Sequence, residues 1–434
     1  MAGGCLTYRE QKMFLLVNPP GLRQGPCFDI PTNILYLIAA LRQAGVPHAW
    51  VDGNMVNMAG VKARIDELRP DIVGVSCLTP VRFNALEIVR YAKERGARTV
   101  MGNHHANWMW KQILDNYGYV DAIVFGEGER TVVDLAVKPW GEVLGIAYRP
   151  VSGQPEYVRN RVRPYVKNLD DFAFPAWDEV DWVSYKGAGA IGPRLFYSRG
   201  CLGRCKFCNA TAYWRGHRHR SPSNFCDELE WVYGMGQHAF VFGDDNATGD
   251  GAMELFTEMQ SRMYRIPSAF SSVTTRVDAI TPELCRLMKA CGVHEVCVGV
   301  ESGSQYIIDH LRKDITVQQA RDAVAWIKAA GIKATVLLMN NTIGERPEDK
   351  EATRRFLEET RPDAIGGINA LWLHPHTKYY DEVRAGKYDH LISEGRGLVD
   401  DGFFLAPQFA QHVIAWRNGR IFPMSVTDHN EGVI

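Results

Sequence analysis

The 434-residue chain contains no apolar run of about 18 residues or more and no leader pattern after Met1, so neither a membrane-spanning helix nor secretion is expected. It also lacks an excess of charge of either sign. Its 49 basic and 50 acidic residues leave a net charge of −1 and are spread evenly, without a basic tail. That balance argues against a nucleic-acid or anionic-membrane partner. A cytoplasmic protein is the expectation. Ten cysteines in such a compartment are read as metal ligands or core residues, not as disulfides. The length allows two domains and a small appendage.

What is there concentrates at Cys201, Cys205 and Cys208, in the run Ser198-Arg-Gly-Cys-Leu-Gly-Arg-Cys-Lys-Phe-Cys. Spacings of three residues and then two let three thiolates converge from one tight loop. Three ligands suffice for three irons of a [4Fe–4S] cluster and leave the fourth iron open. The same thiols could hold a structural zinc with His217 or His219 as fourth ligand, or pack as small hydrophobes. Gly200, Gly203, Arg204 and Lys206 make the segment a loop, which argues against core packing. No second short Cys/His pair is placed to complete the usual zinc pattern. Cys285, Cys291 and Cys297 recur every six residues among Leu284, Leu287, Met288 and Val296 and read as core. Cys5, Cys27, Cys77 and Cys226 stand alone.

Strand and helix patterns alternate along most of the chain. Short apolar strands are expected at 13–18, 49–52, 71–76, 99–102 and 122–126, with helices over 33–44, 61–68 and 82–95 between them. This alternation predicts an α/β protein that opens with a doubly wound parallel sheet, whose ligands bind beyond the strands' carboxyl ends. Prolines and little periodicity mark 147–190 as a linker. From 193 the alternation resumes, with strands expected at 195–198, 239–243, 269–272, 295–300, 334–339 and 367–372. Six such units suit a partial (β/α)6 TIM-type barrel with its chemistry at the C-terminal strand ends. The expected divisions are 1–146, a linker over 147–190, the barrel over 191–385, and a small cap over 386–434. That cap carries Phe403, Phe404, Trp416 and Phe422.

The cysteine spacing, with Phe207 just before the third thiol, resembles the signature of the radical S-adenosylmethionine (SAM) enzymes. The resemblance implies that the open iron takes the amino and carboxylate groups of SAM and that Phe207 lies beside the adenine. The loops Asn18-Pro-Pro, Ser76-Cys-Leu-Thr-Pro, Gly102-Asn-His-His-Ala-Asn and Gly126-Glu-Gly-Glu resemble the Rossmann-like cobalamin-binding domain of one large branch of that family. Corrinoid contacts are thereby implied at Asn18, Ser76, Leu78, Thr79, Gly102, His105, Gly126, Glu127 and Gly128. Two departures stand out. The Asp-x-His-x-x-Gly signature is absent, and Gly102-Asn-His-His-Ala-Asn replaces the branch's Gly-Gly-Pro-His-x-Thr turn.

At the barrel mouth the resemblance implies that Asp244 or Asp245 meets the methionine amino group, as an ammonium beside iron requires. Either could instead be a helix cap. Arg276 would neutralise the cofactor carboxylate, or else pair with Asp278. Glu301 and Ser302, in a Glu-Ser-Gly turn, are implied ribose or methionine contacts. Asn340-Asn-Thr-Ile-Gly-Glu-Arg-Pro departs from the family's Gly-x-Pro-Gly-Glu-Thr. At the sixth strand, Leu373-His-Pro-His-Thr-Lys-Tyr-Tyr places His374 and Tyr379 where substrate would approach, with His376 a polar loop residue. The basic run 214–222 reads as structural docking after the cluster loop.

The implied activity is that of a cobalamin-dependent radical SAM enzyme, foremost a C-methyltransferase, with a [4Fe–4S] cluster, SAM and cobalamin as cofactors. It would methylate an unactivated carbon through a 5′-deoxyadenosyl radical and methylcobalamin. The expected partners are a small-molecule or peptide substrate and an external electron donor such as flavodoxin or ferredoxin, with no nucleic acid and no membrane. A rearrangement, cyclisation or ring contraction without methyl transfer is an alternative on the same cofactors. A non-enzymatic zinc or iron–sulfur binding module is another. A tRNA methylthiotransferase would need further cluster cysteines and an RNA-binding module, and neither is visible.

Overall fold

The computed structural model describes residues 12–21, 29–153, 155–190, 192–263, 269–340, 342–371, 374 and 376–388, and two short strands at 397–400 and 405–408. The expected cap over 386–434 falls almost wholly outside the described residues, as do its four aromatics, Cys5 and Cys27. The chain divides into two compact units. One runs to Val166 and includes Asp171–Ala190, and the other comprises Lys167–Asp170 and everything from Ile191 onward.

The first unit is built on β1 (Phe14–Asn18), β2 (His48–Asp52), β3 (Ile72–Ser76), β4 (Arg98–Gly102) and β5 (Ala122–Val124). All five pair in parallel, in the order β2-β1-β3-β4-β5. Phe14–Val17 and the whole of β3 are buried, as continuous apolar strands covered on both faces should be. The order reverses at β1, which places the ends of β1 and β3 at the topological switch point.

Two local details differ from the sequence expectation. The helix expected over 61–68 begins eight residues earlier, as Gly53–Leu68, because the Asp52 side chain accepts from Asn54 N–H and caps it. A left-handed Asn57 (φ 57°) interrupts its first turns, so only the later part shows helical periodicity. The segment 147–190 is not a free linker. The strands β6 (Ile146–Tyr148) and β7 (Val158–Arg159) extend the sheet antiparallel beyond β5. Farther on, Tyr185 donates its hydroxyl to Asp52 at 2.8 Å and stacks on Trp50.

In the second unit, β8 (Arg194–Leu195) is followed by an antiparallel pair, β9 (Ser198–Gly200) and β10 (His217–His219). The main sheet continues with β11 (Ala239–Phe242), β12 (Ala269–Arg276), β13 (Glu295–Glu301), β14 (Lys333–Asn340) and β15 (Ala364–Ala370). Its six strands lie in sequence order from β8 to β15 and all pair in parallel. That is the open, partial barrel expected. Phe225, Phe242 and Phe256 pack together in its core. Cys285 and Cys291 are fully buried there, with Cys291 Sγ against the Phe256 carbonyl, so they serve as core. Among the described residues no helix is long and apolar enough to cross a membrane.

Candidate active site

The cysteine loop leaves β9 and returns along β10, so both ends are tied by one antiparallel ladder. Gly200 (φ 96°) turns the chain into the loop, and a Cβ there would strike the Gly216 carbonyl and Trp214. Thr211 donates into the carbonyls of Cys201 and Gly203 and closes the loop from inside. Each sulfur faces an N–H donor. Gly203 N lies 3.3 Å from Cys201 Sγ, Ala210 N lies 3.5 Å from Cys208 Sγ, and Arg276 Nη1 lies 3.6 Å from Cys205 Sγ. Such donors favour thiolate and are among the features that set the potential of a cluster. A Cβ on Gly203 would collide with Arg276 Nη1 and lie 3.4 Å from Cys201 Sγ, so glycine keeps this approach open.

Among the described residues no group of three or more His, Cys, Asp or Glu side chains converges as the ligands of a single ion must. A single zinc ion needs its ligands gathered on one centre. His219 Nδ1 faces the Tyr197 hydroxyl at 3.1 Å and the Arg220 carbonyl at 2.9 Å. A cluster asks for less, since each sulfur meets a different iron. Three thiols on one loop, each beside an N–H, fit that group.

Arg276 is held on three sides. Its Nε and Nη2 grip the two oxygens of Asp278 at 2.9 Å, and Nη2 also donates to the Lys313 carbonyl at 2.8 Å. Both alternatives for Arg276 looked outward, to a cofactor carboxylate or to Asp278; its contact with Cys205 was in neither. Burial raises the Cys205 thiol pKa, opposed first by the charge of Lys313 and then by that of Arg276.

The implied SAM contacts divide into two groups. Asp245 is exposed, accepts from Gly200 N–H and the Trp214 indole, and lies close enough for its charge to act on Cys208. Phe207 is half-buried and packs against the apolar cluster that includes Ile307, Leu311 and Tyr379. These two border the loop. Asp244 is buried and accepts from Tyr197 N–H at 3.2 Å and from both the N–H and the hydroxyl of Ser198. It fastens β11 to the approach of the cysteine loop, and burial pushes its carboxyl up to about 6. Glu301 is buried with a left-handed backbone (φ 68°) and pairs with Lys313 at 2.6 Å. Ser302 is fully buried, its hydroxyl 3.1 Å from that of Thr353 on the helix Pro347–Thr360.

Of the two implied substrate residues, Tyr379 is fully buried. Its hydroxyl meets His310 Nε2 at 2.7 Å and the Ile343 carbonyl at 3.4 Å, and its backbone N–H bonds to the Lys206 carbonyl at 2.9 Å. It braces the cysteine loop from behind. His374 is partly exposed, and burial lowers its pKa.

In the first unit the implied corrinoid residues gather at the ends of β3 and β4. Ser76 Oγ lies 3.2 Å from Asn33 Nδ2 and 3.0 Å from Asn103 Nδ2. Thr79 Oγ1 lies 3.1 Å from Nδ1 of the buried His105, whose backbone N–H bonds to the Cys77 carbonyl. Leu78 stands 44% exposed at this polar rim, an apolar surface that a macrocycle would cover. Beyond Gly102, where a loop was expected, the helix Asn103–Trp108 begins at a left-handed Asn103 (φ 77°). Asn18 is committed to Asp52, Nδ2 to Oδ1 at 2.8 Å. The Gly126–Gly128 loop is braced by its neighbours: Glu127 accepts from Val166 N–H at 2.8 Å, Gly126 (φ 68°) lies against the Tyr165 ring, and Gly128 packs on Leu37. The rim at Ser76, Leu78, Thr79 and His105 fits a corrinoid best.

Sequence reasoning passed over Lys313 and His310. The signal for Lys313 was faint, a charged triplet, Arg312-Lys-Asp, directly after the apolar Ile307, Ile308 and Leu311.

A doubly wound sheet followed by an open parallel barrel, with three thiols just beyond the barrel's first strand, defines an α/β iron–sulfur enzyme with a separate cofactor domain. A B12 binding domain profile matches residues 29–136, and a radical SAM superfamily profile matches residues 195–357. The chain therefore carries a B12-binding domain followed by a radical SAM domain, domains whose cofactors are cobalamin and a [4Fe–4S] cluster with SAM. It is 28% identical over 377 residues to the anaerobic magnesium-protoporphyrin IX monomethyl ester cyclase of Cereibacter sphaeroides, across 82% of this chain and 60% of that protein. It is also 28% identical to the cytidylyl-2-hydroxyethylphosphonate methyltransferase of Streptomyces wedmorensis, across 68% of this chain and 63% of that protein. The chain therefore spans about 60% of the length of such curated relatives. In fold it is similar to the radical SAM methyltransferase TsrM from Kitasatospora setae, solved with cobalamin and a [4Fe-4S] cluster bound. The TM-score is 0.76 at 18% identity, covering 96% of this chain and 92% of that one.

Proposed function

We propose that this chain methylates an unactivated carbon of a small molecule or peptide, using cobalamin and SAM together. The observation that carries the reading is the joint presence of two sites. A three-thiol loop has an N–H donor on every sulfur, and a separate B12-binding domain has a partly apolar rim at its topological switch point. When bound, the cofactors supply the radical and methyl-transfer chemistry, and the protein's task is to hold and shield them. Cys201, Cys205 and Cys208 would hold the cluster, with Arg276 against Cys205. Asp245, reachable from solvent beside the loop, would take the ammonium of SAM. Ser76, Leu78, Thr79 and His105 would line the corrinoid.

A second reading, cyclisation or rearrangement without methyl transfer, draws on the cyclase relatives, which match 82% and 77% of this chain. The test is anaerobic reconstitution with iron, sulfide and cobalamin, followed by desalting and incubation of candidate substrates with a reductant and SAM labelled in its methyl group. Retained cluster and corrinoid absorption, 5′-deoxyadenosine release and label in the product are expected. A labelled-free, rearranged product would move the assignment to the second reading. A cluster without retained corrinoid would overturn both.

A further inference from the structure

Two of the N–H donors that face the cysteine sulfurs are backbone groups of the loop itself, from Gly203 and Ala210. The third comes from another strand: Arg276 Nη1, 3.6 Å from Cys205 Sγ. Arg276 ends β12, and its place there is fixed before its side chain is considered. Its backbone N–H reaches Asn246 Oδ1 at 3.4 Å, and the hydroxyl of Thr275 donates to the same oxygen at 3.1 Å. The end of β12 is thereby tied to the segment that follows β11.

The guanidinium has as little freedom. Its side chain is 12% exposed. Nε and Nη2 take the two oxygens of Asp278 at 2.9 Å each, and Nη2 also takes the Lys313 carbonyl at 2.8 Å. In a planar fork, donors spent in this way fix the direction of the remaining one. The cysteine loop accommodates that direction. A Cβ on Gly203 would collide with Nη1, stand 3.2 Å from Arg276 Cζ and lie 3.4 Å from Cys201 Sγ. The guanidinium therefore crosses the loop where a side chain would otherwise stand. An ion pair with a partner as exposed as Asp278 contributes little by itself and needs neither the glycine nor the sulfur.

We propose that Arg276 is a positioning residue that, clamped by Asp278 and the Lys313 carbonyl, holds a charged N–H against Cys205 and raises the reduction potential of the cluster, leaving the SAM carboxylate to other groups. The inference rests on the reading that the three cysteines hold a [4Fe–4S] cluster. Hydrogen bonds to the sulfurs are among the features that set such a potential. A donor that carries positive charge stabilises added negative charge, most where water is excluded. On reduction the cluster gains one electron from an external one-electron donor. Arg276 stays protonated throughout, and no bond to it forms or breaks.

The experiment is a redox titration of the reconstituted full chain, followed by electron paramagnetic resonance without SAM, after iron and sulfide assay of each protein. Arg276→Met should make reduction about tenfold less favourable, ~59 mV for a one-electron couple. Arg276→Lys keeps the charge without the fork and should fall between Arg276→Met and wild type. SAM binding to the oxidised proteins, measured by equilibrium dialysis, should stay near wild type. A second measurement does not depend on the variants assembling a cluster. Wild type grown with 15N-arginine should show nitrogen modulation in the pulsed spectrum of its reduced cluster, and Arg276→Lys should lose it. Equal potentials across proteins with intact clusters would overturn the proposal, as would absence of that modulation from wild type. Unchanged potentials with weakened SAM binding would assign Arg276 to the SAM carboxylate instead. A wild-type chain that assembles no [4Fe–4S] cluster would remove the reading beneath the proposal, and the iron and sulfide assay distinguishes that failure from the others.

Discussion

Arg276 reaches Cys205 with Nη1, 3.6 Å from Sγ, while the rest of its guanidinium grips both oxygens of Asp278. One side chain therefore connects the end of β12 to the middle of the cysteine loop. The planar fork of arginine allows this, because its donors point in fixed and different directions. A lysine in its place would lack the planar fork that holds both Asp278 oxygens while reaching the sulfur.

Removing the thiols tests the centre itself. Cys201→Ala, Cys205→Ala and Cys208→Ala each leave two sulfur donors on the loop, and iron and acid-labile sulfide in the reconstituted protein should fall to a small fraction of wild type. Iron kept at the wild-type level by the triple variant would show that the cluster is held elsewhere.

Asp244 predicts a pH dependence of stability. Its folded pKa, raised to about 6 by burial, lies above that of an unfolded aspartate. Between ~4 and ~6 the folded state binds more protons than the unfolded one, so stability falls as pH rises through this window. The loss attributable to this group is up to about 3 kcal/mol. Asp244→Asn has no such titration. Urea titrations near pH ~4.5 and ~7 should show a larger loss for wild type than for the variant. Equal losses would mean that Asp244 does not titrate in this range.

Gly303 has no room for a methyl group. A Cβ there would stand 2.6 Å from both the Ala352 carbonyl oxygen and Thr353 Cα, backbone atoms of the helix Pro347–Thr360. It would also strain the bond from Gly303 N–H to Thr353 Oγ1, now 2.9 Å. Gly303→Ala should destabilise the chain by ~1–3 kcal/mol, the usual range for an overpacked site. A shift in the urea midpoint measures it, and an unchanged midpoint would contradict this packing.

Tyr379→Phe separates a brace from a substrate contact. The variant loses the hydroxyl that meets His310 and Ile343, at a cost of about 1 kcal/mol. A lower thermal midpoint with near wild-type 5′-deoxyadenosine formation is expected, measured by calorimetry and chromatography. An unchanged midpoint with collapsed turnover would place Tyr379 in the chemistry instead.

Most of the strands were legible because their signal is local. Phe14–Val17 and Ile72–Ser76 are continuous apolar runs between turn residues, and such runs become buried parallel strands. The cysteine loop was legible for the same reason. What escaped was structure without a period of its own. Val158–Arg159 is a strand only because Ile146–Tyr148 offers it an edge. Within the site, residue type did not distinguish ligand contact from strut. Asp244, Ser302 and Tyr379 have polar groups suited to a cofactor or a substrate, and the structure also ties them to Ser198, Thr353 and His310, partners that residue type alone does not reveal.

The sequence by itself determined that three thiols share one short loop and that two α/β units follow one another, since covalent spacing and hydrophobic period are properties of the chain. Only the tertiary structure decided which charges stand beside those thiols. Arg276, which reaches the Cys205 sulfur, lies 71 positions beyond it, and Lys313, whose carbonyl Arg276 also holds, lies 108. Nothing in their local sequence marks a buried ammonium or a guanidinium aimed at sulfur. Electrostatic effect depends on distance and on exclusion of water, and both are set by the packing of β12 and β13 around the loop.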